Sequence, residues 1–228
     1  MNIHGEQEPA GTVIFDLDGT LLDTLEDLRS AVNHVLRAHN FPERSIEETM
    51  AFVGNVVGVL IDKACPDGTP AEVSSQLLKE FKQWYFEHVL EQTAPYEGIP
   101  ELLEKCQAAG IRTAVVSNKF ETAVQSLCDS TLPGLLDLCV GDLPEYPRKP
   151  DPANVYRCMR GLGVSDPAKV IYVGDSETDI CTARNAGLPM IIVTWGFRER
   201  SLLEACGGEN LVDTSEALWL KIRELLHM

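Results

Sequence analysis

Hydrophobic and polar positions follow two alternating rhythms along this chain. Short runs rich in Val and Ile, at Thr12 to Asp16, Ile111 to Ser117, Leu135 to Val140, Val170 to Gly174 and Met190 to Thr194, read as buried strands. Amphipathic stretches lie between them, at Ile99 to Ala109, Glu121 to Ser130, Ala153 to Leu162 and Thr178 to Ala186, and read as helices. The alternation predicts an α/β fold, a Rossmann-like and mostly parallel sheet with helices on both faces, because parallel neighbours need crossover connections.

One stretch breaks the rhythm. From Thr24 to Pro95 there is no convincing strand, only helical spacing such as Leu28, Val32, Val35, Leu36 and later Val73, Leu77, Leu78, Phe81. The later helix carries a start signal in Thr69-Pro70-Ala71-Glu72, which combines an N-cap, a proline at N1 and a capping-box glutamate. A small all-helical unit is therefore expected over residues 24–95, inserted after strand one, with residues 1–23 and 96–228 forming the sheet-containing core.

Composition narrows the function classes. With 228 residues, 44% of them hydrophobic, the chain has material for one sizeable core and a second small one. A net charge of −16 argues against nucleic acid or an anionic membrane as partner, since binding by counterion release needs a positive face. No run approaches eighteen apolar residues, and Met1 to Ala10 is polar and acidic, unlike a signal peptide, so a cytoplasmic location is expected. Seven cysteines without a CxxC pair fit a reducing compartment better than a disulfide framework or a zinc site.

Candidate chemistry clusters at the predicted strand ends. Asp16 and Asp18, in Phe15-Asp16-Leu17-Asp18-Gly19-Thr20, share one side of a strand of period two, at the edge where open parallel sheets bind ligands. The Asp-Gly pair also suits an ordinary turn. Two carboxylates this close repel, which favours either a bound cation or one retained proton. A second acidic set, Asp175 and Asp179 in Gly174-Asp175-Ser176-Glu177-Thr178-Asp179, follows another strand; helix capping explains Ser176 or Asp179, and explains less well a Gly-Asp strand end on the same edge as Asp16. Such hard oxygen ligands suit magnesium. Ser117 and Asn118 close the Ile111 strand, where helix-start donors favour a phosphate, and Lys149 sits in the proline-stiffened Tyr146-Pro147-Arg148-Lys149-Pro150-Asp151-Pro152.

Taken in order, the pieces resemble the haloacid dehalogenase superfamily. Asp16-Leu17-Asp18-Gly19-Thr20 is similar to its first motif, Ser117 with Asn118 to its second, Lys149-Pro150 to its third, and Gly174-Asp175 with Asp179 to its fourth. The helical insertion resembles the small cap of the phosphoglycolate phosphatase-like branch. So do Leu21-Leu22-Asp23-Thr24, Val53-Gly54-Asn55 with Leu60-Ile61, and Thr194-Trp195-Gly196-Phe197-Arg198. Val56 departs from that branch, which commonly has a second glycine there.

The resemblance implies a phosphatase for a small phosphorylated metabolite. Asp16 is its nucleophile and Asp18 its general acid/base. Ser117, Asn118 and Lys149 hold the phosphoryl oxygens, and Mg²⁺ is held by Asp16, the Asp18 carbonyl and Asp175, with Asp179 supporting that set. Asn55 is the implied cap contact to substrate. 2-Phosphoglycolate is the expected substrate, with pyrophosphate, nucleotides and sugar phosphates as alternatives, and a β-phosphoglucomutase-type phosphomutase keeps the same core residues. A receiver domain is disfavoured because it accepts phosphate on a central strand, whereas Asp16 follows the first. A non-catalytic relative would be expected to lack the nucleophile or the lysine, and both are present.

Overall fold

The computed structural model of the chain describes residues 9–54 and 57–228. It opens with β1 (Gly11–Phe15), buried at all five positions, and the two-residue β2 (Leu22–Asp23). Four helices follow: α1 (Leu25–Ala38), α2 (Ile46–Phe52), α3 (Val57–Ala64) and α4 (Ala71–His88). β3 (Ala94–Pro95) then pairs antiparallel with β2, setting Leu22 opposite Pro95 and Asp23 opposite Ala94. The remainder alternates: α5 (Ile99–Ala108), β4 (Ile111–Phe120), α6 (Glu121–Thr131), β5 (Leu138–Asp142), α7 (Ala153–Gly161) and β6 (Val170–Gly174). It closes with α8 (Glu177–Ala186), β7 (Met190–Val193), α9 (Arg200–Ala205), β8 (Leu211–Val212) and α10 (Ser215–Leu225).

The main sheet has the order β5-β4-β1-β6-β7-β8 and every pairing in it is parallel. β1 lies between β4 and β6, so the strand order reverses beside it and the carboxyl ends of β1, β4 and β6 border one crevice. Ligands of open α/β sheets bind at such a switch point. Period-two alternation splits the core between the two faces: Val13 and Phe15 join one apolar cluster, and Ile14 joins the other with Ala114 and Tyr172. The first cluster runs on through Leu28, Leu36, Leu60, Leu77 and Phe81, so the four inserted helices share apolar packing with one face of the sheet.

A buried carboxylate fastens the neck of the insertion. Asp27, in the first turn of α1, accepts hydrogen bonds from the Thr93 backbone N–H at 2.9 Å, the Thr93 hydroxyl at 2.7 Å and the Gln92 N–H at 3.0 Å. The outgoing and returning segments are thus tied beside the β2–β3 pair.

Two local expectations are corrected. Thr69 does not cap α4: its hydroxyl donates to Pro66 O at 2.7 Å, and Pro70 occupies the N-cap position without a side-chain cap. The turn Pro66 to Thr69 offers that hydroxyl a nearer acceptor than the helix offers it a donor. The expected strand from Leu135 begins only at Leu138, because the Asp137 carboxylate takes the Thr113 N–H at 2.8 Å and Leu135 O takes the Thr113 hydroxyl.

Candidate active site

Just beyond β1, the Asp16 N–H donates to Val173 O at 2.8 Å, extending the parallel ladder by one residue and fixing this carboxylate at the sheet edge. The chain then turns through Gly19 at φ +84°, and a Cβ added there would lie 2.4 Å from Asp175 Oδ2. Glycine therefore serves both the turn and the close approach of the acidic residue after β6. Asp175 is held by the Thr20 hydroxyl at 3.1 Å on Oδ1 and by the Phe197 N–H at 2.8 Å on Oδ2.

Asp179 combines two roles. With Ser176 it forms the capping box that starts α8, so the capping reading of the sequence holds. Its Oδ1 also accepts from Lys149 Nζ at 2.8 Å and from the Tyr172 hydroxyl at 3.0 Å. Both oxygens are therefore engaged, which suits a residue that supports its neighbours.

Lys149, whose side chain is 3% exposed, lies 2.8 Å from Asp16 Oδ1 as well. Its loop is pinned by Asn118, whose Oδ1 accepts the Lys149 N–H at 2.9 Å and whose Nδ2 donates to Lys149 O at 3.1 Å. The Asn118 amide, expected among the phosphoryl-binding groups, thus spends both ends on positioning the lysine. The β4–β5 register shifts between Val116 and Phe120, and such irregularities redirect side chains at the end of a strand. Ser117 lies in this stretch, buried, its Oγ accepting the Lys119 N–H at 3.1 Å.

Burial sets the electrostatics. It raises the Asp16 carboxyl to about 7 against the pull of the Lys149 ammonium, with Asp179 and Asp18 adding to the rise. Burial likewise drives Asp175 well above the usual carboxylate range, helped by the charges of Asp179 and Asp16. For Lys149, burial disfavours the charge, but the Asp16 and Asp179 carboxylates outweigh it and hold the ammonium well above its ordinary value.

The donor set fits a magnesium ion. Carboxylate oxygens of Asp16, Asp175 and Asp179 lie within 4.8 Å of one another and form the one such acidic cluster among the described residues. Two of these carboxyls are raised, so a hard cation against them would restore their charged forms.

The contacts of several site residues escaped the sequence reading. Lys119, with a side chain 6% exposed, pairs with Asp18 Oδ1 at 2.8 Å, and the Thr24 hydroxyl donates to the same oxygen at 2.7 Å. The Lys119 ammonium also sits 4.9 Å from the ring centroid of Tyr85, which comes from α4. Arg198 pairs with Glu177 at 2.8 Å and reaches across to the insertion, donating to Met50 O at 3.1 Å and to Val53 O. Beside it the Thr178 hydroxyl donates to Gly54 O at 3.1 Å. Lys119 and Tyr85 carry no motif of their own, and Arg198, though it closes the Thr194 to Arg198 stretch, bonds carbonyls 148 and 145 positions away. Asn55 and Val56 lie outside the described residues.

Asp16, Asp18, Ser117, Asn118, Lys149 and Asp175 all line one cavity of about 170 Å³. The inserted helices contribute an opposing wall that includes Leu28, Val57, Leu78, Phe81 and Tyr85. Such an enclosure, with an acidic pair, a lysine and hydroxyl and amide donors at one end, can hold and attack a phosphoryl group.

The family model described as haloacid dehalogenase-like hydrolase matches residues 13–193. A protein of Aquifex aeolicus named phosphoglycolate phosphatase is 32% identical over 186 residues, covering 81% of this chain and 85% of that one. A protein of the same name from Mesorhizobium japonicum is 33% identical over 84% of this chain and 86% of its own. Among solved structures, one from Lactobacillus delbrueckii subsp. bulgaricus superimposes with a TM-score of 0.89 at 34% identity, covering 94% of this chain and 99% of that chain. A predicted phosphoglycolate phosphatase from Haemophilus somnus superimposes at 0.84 with 29% identity, covering 93% and 97%.

Proposed function

The chain belongs to the haloacid dehalogenase-like hydrolase family, and from that premise we propose that it is a magnesium-dependent phosphatase whose substrate is 2-phosphoglycolate. The observation that carries this reading is the placement of Lys149, buried and 2.8 Å from both Asp16 and Asp179, at the carboxyl edge of β1. Relatives named for phosphoglycolate, at 32% and 33% identity over most of the chain, support the choice of substrate.

In this reading an Asp16 oxygen attacks phosphorus in line. The bond from phosphorus to the ester oxygen breaks, and Asp18 gives that oxygen its proton. Asp18 then takes a proton from water, the water oxygen attacks phosphorus, and the bond to Asp16 breaks to release inorganic phosphate. Lys149 and Ser117 bind the phosphoryl oxygens, while Asn118 and Asp179 fix Lys149. Mg²⁺, held by Asp16, the Asp18 carbonyl and Asp175, would neutralise phosphoryl charge.

Residues 24–95 act as a cap over residues 1–23 and 96–228, with the β2–β3 neck as hinge, excluding water while the ester bond breaks. Asn55 is the cap's proposed substrate contact. Seven free cysteines support a cytoplasmic setting.

The test is phosphate release with and without Mg²⁺ from phosphoglycolate, pyrophosphate, nucleoside monophosphates and sugar phosphates, with Asp16→Asn as control. Metal-dependent turnover that prefers phosphoglycolate and disappears in the variant is the expected result. Activity surviving the substitution would remove Asp16 as nucleophile, and a different preferred ester would remove phosphoglycolate.

A further inference from the structure

Beyond the groups that handle the phosphoryl group, the cavity contains two polar side chains whose position no step so far explains. Tyr85 is 1% exposed and lines the cavity, and its hydroxyl, which faces the Lys119 ammonium, has no partner at full hydrogen-bond distance and angle among the described residues. A buried polar atom left in that state is costly and calls for a ligand. Lys119 lies beside it, its ammonium bonded to Asp18 Oδ1 at 2.8 Å, which uses one of its three donors.

The other cations that line the cavity are committed or exposed. Lys149 serves Asp16 and Asp179, Arg148 pairs with Asp142 at 2.8 Å, Arg198 pairs with Glu177 and binds carbonyls of the insertion, and Lys82 is exposed on α4. Lys119 is thus the buried cation nearest to the residue that protonates the ester oxygen.

We infer that Lys119 and Tyr85 form the subsite for the leaving group, and that it selects an alcohol bearing a carboxylate one carbon from the ester oxygen. This inference rests on the phosphatase reading and adds to it the groups that read the far end of the substrate. Asp18 meets the ester oxygen, and Lys119 touches Asp18, so a carboxylate one methylene removed falls against the ammonium. The Tyr85 hydroxyl then donates to its second oxygen. The surrounding wall of Leu28, Val57, Leu78 and Phe81 offers hydroxyl groups nothing to bond, which disfavours the polyhydroxy leaving groups of sugar phosphates. Lys119 comes from β4 and Tyr85 from α4, so the subsite is complete only when the insertion is seated on the sheet.

The experiment compares kcat/KM for 2-phosphoglycolate with that for ethyl phosphate, a neutral ester of similar size, in the wild type, Tyr85→Phe and Lys119→Met. The wild type is expected to prefer phosphoglycolate, and each substitution to cut that preference by roughly ten- to a hundredfold, the scale of one hydrogen bond to a charged group. Tyr85→Phe removes a single oxygen and leaves the packing in place, so it reports on the subsite without a folding defect. In parallel, calorimetry measures binding of both esters to Asp16→Asn with and without Tyr85→Phe, where the same loss of preference is expected. Hydrolysis of both esters with a preference that neither substitution moves overturns the subsite and leaves the phosphatase reading standing. If neither ester is hydrolysed, phosphoglycolate falls as the substrate, and calorimetry alone decides the subsite: a preference for the charged ester that Tyr85→Phe reduces supports it, and equal binding overturns it.

Discussion

Asp179 shows how one side chain serves folding and chemistry at once. It starts α8 through the capping box with Ser176 and also orients Lys149. An Asp179→Asn substitution keeps an oxygen for the cap but removes one of the two charges that hold the ammonium. The expected result is a fall in kcat of roughly 10- to 100-fold, as for other supporting groups around a metal site, with the unfolding midpoint changed far less. Steady-state kinetics over a magnesium titration, paired with a melting curve, would check this, and an unchanged kcat would show that Lys149 needs only Asp16 and the Tyr172 hydroxyl, to which its Nζ donates at 3.1 Å. Asp16, Asp18, Asp175 and Lys149 were legible in the sequence because each sits in a short motif after a strand. The contacts of Lys119, Tyr85 and Arg198 were not: Lys119 meets a carboxylate 101 positions away and Arg198 a carbonyl 145 positions away, so these contacts exist only after folding.

Elements differ in how openly the sequence announces them. The Val- and Ile-rich runs gave β1, β4, β6 and β7 because strands buried on both faces are mostly apolar, with few buried polar residues such as Thr12 and Thr113. By contrast β2, β3 and β8 are two residues each, too short for any period to emerge, and they exist by pairing with distant partners. Close approach of elements imposes another hidden constraint. A Cβ on Gly174 would lie 2.3 Å from the Asp179 Cβ, so β6 and α8 can meet only across a glycine. Gly174→Ala is expected to destabilise the chain by about 1–3 kcal/mol through overpacking, read as a lower urea midpoint at unchanged m-value. No shift in midpoint would mean that α8 can move away freely. Arg198 adds a polar tie between the insertion and the core, its planar guanidinium binding Glu177, Met50 O and Val53 O together. Lysine cannot reproduce that fork. Arg198→Lys should lower the local opening free energy of the Thr49 to Val53 amides by roughly 1–3 kcal/mol. Hydrogen exchange would show it as faster exchange there and not in β1. Equal exchange in both proteins would leave Thr178 as the principal tie.

At the scale of the whole molecule, the acidic cluster sets stability against function. The chain carries a net charge of −16, and three carboxylates gather within 4.8 Å at the end of the sheet, two of them raised by burial and mutual repulsion. Without a cation this arrangement opposes folding, and among the described residues no second acidic cluster of this kind competes for one. A divalent ion that binds the folded chain and not the unfolded one stabilises it by about 2.7 kcal/mol at a hundred times its dissociation constant, which for a chain of this size raises Tm by about 5–10 °C. Asp175→Asn removes a proposed ligand and a repelling charge together, so it should melt at or above the wild-type temperature in chelator and gain little when magnesium is added. The two melting curves should therefore change order between chelator and magnesium, with sodium chloride at matched ionic strength as the control for diffuse screening of the acidic surface. A magnesium-induced rise that persists undiminished in Asp175→Asn would place the ion elsewhere on that surface and remove Asp175 from the metal site.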